Sequence, residues 1–275
     1  MPSTHPSPVL FVDCHVHLDG FSDDDVRDIL ARALQAGVGV VVTAGTTLDT
    51  SRRAVALAQT FPEVFAGVGI HPFDVTGPVD ETVYAALWDM TLSNKKVVVI
   101  SEIGLDFMEG APDRATQYQA LREQVRLARE LRLPIIYHSR EAHDETLRVL
   151  REERAYEVGG AFHYFHGDEP AARAAIDLGF HISLARPLLR MPRLQEVVAK
   201  LPLERIVLET DTAPQPFKAK RENWTEPRHL AEVAAKLAEL KRVDVEEVRR
   251  VTTANALRML RRNRGLVEET LASRA

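Results

Sequence analysis

Eight short apolar runs recur along the 275 residues, separated by amphipathic stretches, and this alternation limits the fold more than any other property of the chain. The runs are VLFVD from Val9, VGVVVTA from Val38, FAGVGIH from Phe65, VVVISEIG from Val97, LPIIYHS from Leu133, GGAFHYF from Gly159, GFHISLA from Gly179 and RIVLETD from Arg205. Short, apolar and rich in β-branched and aromatic residues, they read as buried strands. Intervening segments such as DDDVRDILARALQAG and RATQYQALREQVRLARELR place apolar residues at helical spacing with charges opposite. Ser22 and Pro112-Asp113 are credible helix starts, and Gly37 a credible stop. Strands alternating with helices imply right-handed βαβ units and a parallel sheet. Eight such units predict an α/β fold, a single (β/α)8 TIM-like barrel rather than an open doubly wound sheet. The barrel is expected over residues 9–265, after a flexible lead-in over 1–8 and before a C-terminal tail over 266–275.

In such barrels the active site lies at the C-terminal ends of the strands. The polar residues fall there. His15 and His17 close the first run in DCHVH, and a strand's alternation points both imidazoles to one side. His71 closes the third run, Glu102 the fourth and His138 the fifth; the sixth carries His163 and the eighth ends in Asp211. Taken singly, each has an ordinary structural use as a cap or a core hydrogen bond. Gathered on one rim, nitrogen and oxygen donors without thiolate suit zinc, manganese, nickel, iron or, with more water, magnesium. Six ligands exceed what one open catalytic ion takes and suit two divalent ions, Mg, Mn or Zn, roughly 3.5–4 Å apart. Glu102, central in strand order, is the natural bridge. Two dications against two carboxylates leave the site cationic, which favours an anionic substrate and fits phosphoryl transfer.

The remaining composition removes other classes. No apolar run approaches the roughly 20 residues that span a bilayer, and MPSTHPSP lacks the basic and apolar regions of a signal peptide. Cys14 is the one cysteine, so no intramolecular disulfide forms and the cytoplasm is the expected location. A net charge of −5 without a basic tract argues against a protein that coats duplex DNA, though not against an enzyme working at a nucleic-acid end. Nothing in the chain signals an obligate protein partner.

DCHVHLD, GIHP, SEIGLDF, PIIYHSR, FHYFHGD, LETD and the tail EPRHLAEVAAKLAE…VEEVRRVTTANALRML together resemble the TatD family of metal-dependent deoxyribonucleases, within the amidohydrolase-like barrels. The motifs cover nearly the whole chain in order. The resemblance implies that His15, His17, Glu102 and Asp211 hold one ion and that Glu102, His138 and His163 hold the other. It implies hydrolysis of DNA phosphodiesters, with 3′-to-5′ exonuclease action on single strands or ends, and a small phosphoester as the alternative substrate. Asp211 then orients or deprotonates the attacking water and Glu102 bridges. His71, Arg140, His166 and Arg186 are the candidate substrate contacts, with strand-end or surface roles as the competing uses. Lys218, Lys220 and Arg221 either steer a nucleic-acid end or are simply solvated, and Trp224 either stacks on a base or packs under its loop. Cys14 is expected to face away from the ions and pack against the helix layer, and His181 to sit in the core. The chain departs from the family at Tyr164 and His166, where cysteine and serine are usual, and in the long loop DTAPQPFKAKRENWTEP. A rival reading is a dinuclear hydrolase of a small amide, lactone or phosphoester. Many such enzymes bridge their ions with a carboxylated lysine, whereas here the fourth strand offers Glu102. A third, a catalytically dead scaffold, predicts a missing ligand, and none is missing.

Overall fold

The computed structural model describes residues 9–275, so the lead-in expected over 1–8, with His5, lies outside the described residues. Among the described residues eight strands pair in chain order: β1 (Phe11–Val16), β2 (Val38–Ala44), β3 (Val64–Val68), β4 (Val97–Asp106), β5 (Ile135–Arg140), β6 (Gly160–Phe162), β7 (Phe180–Leu184) and β8 (Ile206–Leu208). Every neighbouring pair is parallel. The ring closes between β1 and β8 through a bridge from Val16 to Thr212 and backbone bonds from Asp211 N–H to His15 O (3.0 Å) and His17 N–H to Thr212 O (2.6 Å). The expected single (β/α)8 barrel is the fold.

Eight helices follow the strands: α1 (Asp23–Gln35), α2 (Leu48–Thr60), α3 (Glu81–Ser93), α4 (Arg114–Leu131), α5 (His143–Glu152), α6 (Glu169–Asp177), α7 (Pro192–Lys200) and α8 (Leu230–Lys241). The starts read from sequence hold: Ser22 accepts from Asp25 N–H at α1, and Asp113 from Ala115 and Thr116 N–H at α4. Gly37 adopts φ +83° just beyond α1, a conformation glycine reaches without Cβ strain.

Two more helices, α9 (Val245–Met259) and α10 (Arg264–Arg274), complete the chain. The stretch 266–275, expected as a tail, lies mostly within α10, with Val267 buried and Leu266 and Leu271 packed beside it. α9 spans the N-terminal ends of the strands and satisfies their free carbonyls. Asn255 Nδ2 donates to Leu203 O and Ile206 O (2.8 and 2.6 Å), and Thr253 Oγ1 to Leu10 O (3.0 Å). Above it lies the barrel's inner cluster: Val12 and Cys14 of β1, Val40 and Val42 of β2, Phe65, Val98, Val99, Ile136, Ala161 and Val207, sealed by Ala256, Met259 and Leu260. Cys14, expected against the helix layer, is instead fully buried in this inner cluster, which holds no residue of α1–α8. β7 contributes no residue to that cluster; its Phe180, Ile182 and Leu184 pack into the outer layer, and the alternating positions are His181 and Ser183. No helix among the described residues is long and apolar enough to cross a membrane.

Candidate metal centre

The site residues arrive from six strand ends, though not always from the last residue. His15 lies inside β1 and His17 one residue beyond it; His163 follows β6 directly, and Asp211 stands three residues past β8. Glu102 differs from expectation: β4 is the longest strand, and Glu102 sits in its middle, 3 % exposed, with its N–H bonded to Gly45 O at 2.8 Å. Asp211 (φ +53°) and Tyr164 (φ +47°) are both left-handed, which costs a non-glycine residue about 1–3 kcal/mol and concentrates at functional sites. Each is held there from outside, Asp211 by its bond to His15 O and Tyr164 by its N–H to Glu209 Oε1 at 2.6 Å.

Donor atoms converge on Glu102 from both sides. Its Oε2 lies 3.3 Å from His15 Nε2 and 3.4 Å from His17 Nε2. Its Oε1 lies 3.2 Å from His138 Nδ1, 3.5 Å from His163 Nε2 and 3.6 Å from His71 Nε2. Asp211 Oδ1 closes the first side, 3.5 Å from His17 Nε2 and 4.0 Å from His15 Nε2. Two imidazole nitrogens, His15 Nε2 and His17 Nε2, face each other at 3.0 Å, where only one proton fits between them. Atoms bound to one cation at about 2.0–2.2 Å stand about 3–3.5 Å apart, so this donor set fits a divalent ion on each side of Glu102. Three triads have donors close enough to share an ion: His15, His17 and Asp211; His15, Glu102 and His163; and His71, Glu102 and His138.

Partners on the outer ring nitrogens separate ligands from donors, because a neutral imidazole carries one N–H and one lone pair. Asp106 Oδ2 lies 2.9 Å from His138 Nε2, and Glu209 Oε1 lies 2.9 Å from His163 Nδ1. Asp106 accepts the His138 Nε2 proton and leaves the Nδ1 lone pair turned to the centre, and the Glu209 charge beside His163 Nδ1 favours a proton on that nitrogen. His71 is the reverse: its Nδ1 accepts from Phe73 N–H (3.1 Å), so its proton sits on Nε2, which faces Glu102 as a donor. Burial, opposed by Glu102, takes the His71 pKa down to about 4 and keeps it neutral.

The electrostatics favour a cation. Burial pushes Glu102 up, but the imidazoles of His163, His71, His138 and His15 outweigh it and hold the carboxyl well below its usual range. Burial likewise raises Asp211, and His17 with His163 and His15 brings it down to about 2. Burial lowers His163, yet Glu209 and Glu102 raise it to about 9. The pocket thus draws positive charge onto itself.

Three carboxylates behind the centre escaped the sequence reading. Asp106 accepts from His138 and also from Arg140 (Nε 2.8 Å, Nη2 2.6 Å), and Gln117 of α4 clamps its backbone from both sides at 2.8 Å. Glu209 accepts from Tyr164 N–H and from the Ser183 hydroxyl. Asp13 joins β1 to the end of β8, accepting from Thr210 N–H (3.0 Å) and Thr210 Oγ1 (2.5 Å). The signal was alternation itself: Asp13 precedes His15 and His17 by twos, Asp106 follows Glu102 by four, and Glu209 precedes Asp211 by two. Replacing Asp106 with alanine is expected to weaken metal binding about 10–100-fold by freeing the His138 ring. A chelator competition assay measures this, and unchanged affinity would show that His138 is oriented by something else.

A cavity of about 780 Å³ opens over the centre, lined by His71, His138, Arg140, Tyr164, His166 and Arg190 among others. Three of the four candidate substrate contacts therefore face it: His71, Arg140 and His166. Arg186 does not; it turns towards Glu232 at 3.4 Å, and Arg190, at the end of the same turn, takes the position over the centre. The basic stretch of the strand-eight loop is spent internally. Lys218 donates to Asn223 O, Arg221 pairs with Asp25 at 2.6 Å, and Trp224 packs beside Phe21 with the Arg221 guanidinium over its ring. His143 and His229 bond to neighbours, Ser139 and the Glu226 backbone.

Known proteins resemble this chain over nearly its whole length. The family described as TatD related DNase matches residues 12–261. An uncharacterized metal-dependent hydrolase of Bacillus subtilis, YabD, is 34% identical and covers 92% of this chain and 100% of its own. The human deoxyribonuclease TATDN3 is 32% identical over 94% of this chain and 97% of its own. The crystal structure of YjjV, a TatD homologue from Escherichia coli, superposes with a TM-score of 0.82 at 31% identity, covering 90% of this chain and 97% of that one.

Proposed function

The chain belongs to the TatD-related DNase family of metal-dependent hydrolases, and from that premise we propose that it hydrolyses DNA phosphodiesters at single strands or 3′ ends with two divalent ions. The observation that carries this reading is the division of Glu102, one oxygen turned to His15 and His17 and the other to His138 and His163. His15, His17, Glu102 and Asp211 would hold one ion, and Glu102, His138 and His163 the other. Magnesium, manganese and zinc all suit these donors. Bound there, the ions would polarise a non-bridging phosphate oxygen and ease deprotonation of water. Asp211 lies at the ligand edge, partly open to the cavity, and accepts the proton of the attacking water. His71 donates from Nε2 to a phosphate oxygen, and Arg140 and Arg190 meet the phosphate from the cavity wall. His166, whose Nδ1 bonds back to Tyr164 O at 3.0 Å, and Tyr164 shape the far wall, where they would set substrate choice. The single cysteine, fully buried, accords with a cytoplasmic home.

The test is nucleotide release from 3′-labelled single-stranded DNA by protein stripped of metal and reloaded with magnesium, manganese or zinc. Stepwise release that requires the ion supports the reading. No release with any of the three, from protein shown to hold two ions, overturns it and leaves a small-molecule hydrolase on the same centre.

A further inference from the structure

The opposite end of the barrel carries a second cavity, of about 610 Å³. It lies at the starts of the last three strands. Gly160 opens β6, His181 follows the first residue of β7, and Glu204 and Arg205 stand just before β8. Arg258 and Met259 of α9 and Arg261 beyond it complete the wall with Val158. In barrels of this kind that face serves stability. Three guanidinium groups around one hollow do the contrary, since like charges repel.

Most arginines on this chain stand beside a carboxylate, as Arg32, Arg122 and Arg126 do. Arg205, Arg258 and Arg261 have no carboxylate within 4.0 Å among the described residues. Arg258 donates to Asn255 Oδ1 and Arg261 to Glu157 O at 3.3 Å, which leaves most of their donors free. One carboxylate, Glu204, lines the same wall, so the hollow keeps a net positive charge of two. His181 is 7 % exposed there, its Nδ1 3.3 Å from Gly160 O.

From this cavity and its unmatched cations we propose that the bottom of the barrel is a binding site for a phosphomonoester, separate from the metal centre. A phosphate dianion matches the charge, and guanidinium forks match its oxygens better than a point cation does. The hollow exceeds a bare phosphate, so Val158 and Met259 have room to cover a small organic group. Among the described residues no phenylalanine, tyrosine or tryptophan lines it, which favours a sugar phosphate over a stacked base. His181 senses occupancy. Burial and the three arginines lower its pKa to about 4, and a dianion opposite them raises it.

The experiment titrates the metal-loaded full chain with ribose 5-phosphate and with inorganic phosphate, by calorimetry and by NMR of the histidine rings. Arg205→Ser/Arg258→Ser is run in parallel. Expected are loss of one binding event, affinity for ribose 5-phosphate about tenfold or more weaker, and His181 ring signals that move only in the parent. Both arginines are exposed, so folding should survive; Arg261→Ser alone serves should the pair fail to fold, and Arg258→Lys should restore part of the affinity. An identical isotherm in the variant, or His181 signals that ignore the phosphate, would overturn the site.

Discussion

Glu102→Gln should abolish hydrolysis, by about 10³-fold or more, equivalent to about 4 kcal/mol of lost transition-state stabilisation. The side chain keeps its size and its place in β4. What it loses is the second anionic oxygen. Glu102 Oε2 serves the His15–His17 side and Oε1 the His138–His163 side, so an amide leaves an oxygen for one and presents N–H₂ to the other. Elemental analysis should show the metal content falling from two ions per chain to one or none. Five imidazoles then face a neutral group, and those that carry protons lose their counter-charge. Full activity with two ions retained would remove Glu102 from the bridging role and, with it, the basis of the phosphodiesterase reading.

Gly104→Ala should be the most damaging single methyl in the barrel's working end. Gly104 pairs with His138 across β4 and β5, and a Cβ built on it falls 1.9 Å from His138 O and 2.8 Å from His138 C. Those are backbone atoms, which cannot swing aside as a side-chain tip can. The φ of +156° adds strain for any residue with a Cβ. Stability should fall by about 3 kcal/mol, roughly 5–10 °C in Tm, and metal affinity with it, because the displaced strand carries a ligand. Gly110→Ala separates the two causes. There φ is +84° but no atom lies within 4 Å of the new Cβ, so the cost should stay near about 1 kcal/mol. Equal losses at both positions in a melting curve would show that the approach of the strands is not what requires glycine.

Much of this was legible in the chain because period and position carry it. Eight apolar runs gave eight strands, and the barrel rule then placed His15, His17, His138, His163, Glu102 and Asp211 on one rim. The errors share a cause: a sequence shows which face a residue takes on its own element, not what stands opposite. Sequence singles out Arg186 as the phosphate contact, and only the course of the turn after β7 shows that Arg190, four residues on, faces the cavity instead. The alternation that marks Asp106 and Glu209 does not name the imidazoles they stand beside until β5 and β6 are set next to them. α10 falls where a tail is expected from sequence, and the docking of α9 across the strand starts depends on carbonyls at Leu10, Leu203 and Ile206 that no periodicity announces.

The seam between β1 and β8 has a consequence for the order of folding. Asp13 and Thr210, which tie it, are 197 residues apart in sequence. The first side of the centre is split across that seam, with His15 and His17 on one lip and Asp211 on the other. A nascent or partly folded chain can assemble His138 beside Glu102, since β4 and β5 are neighbours in sequence, but it cannot assemble the His15–His17–Asp211 triad until the ring has shut. Closing so long a loop is the slow, entropically costly step. If two ions bind as proposed, the one at that triad would be taken up last, and a chain stalled before closure would hold at most the other.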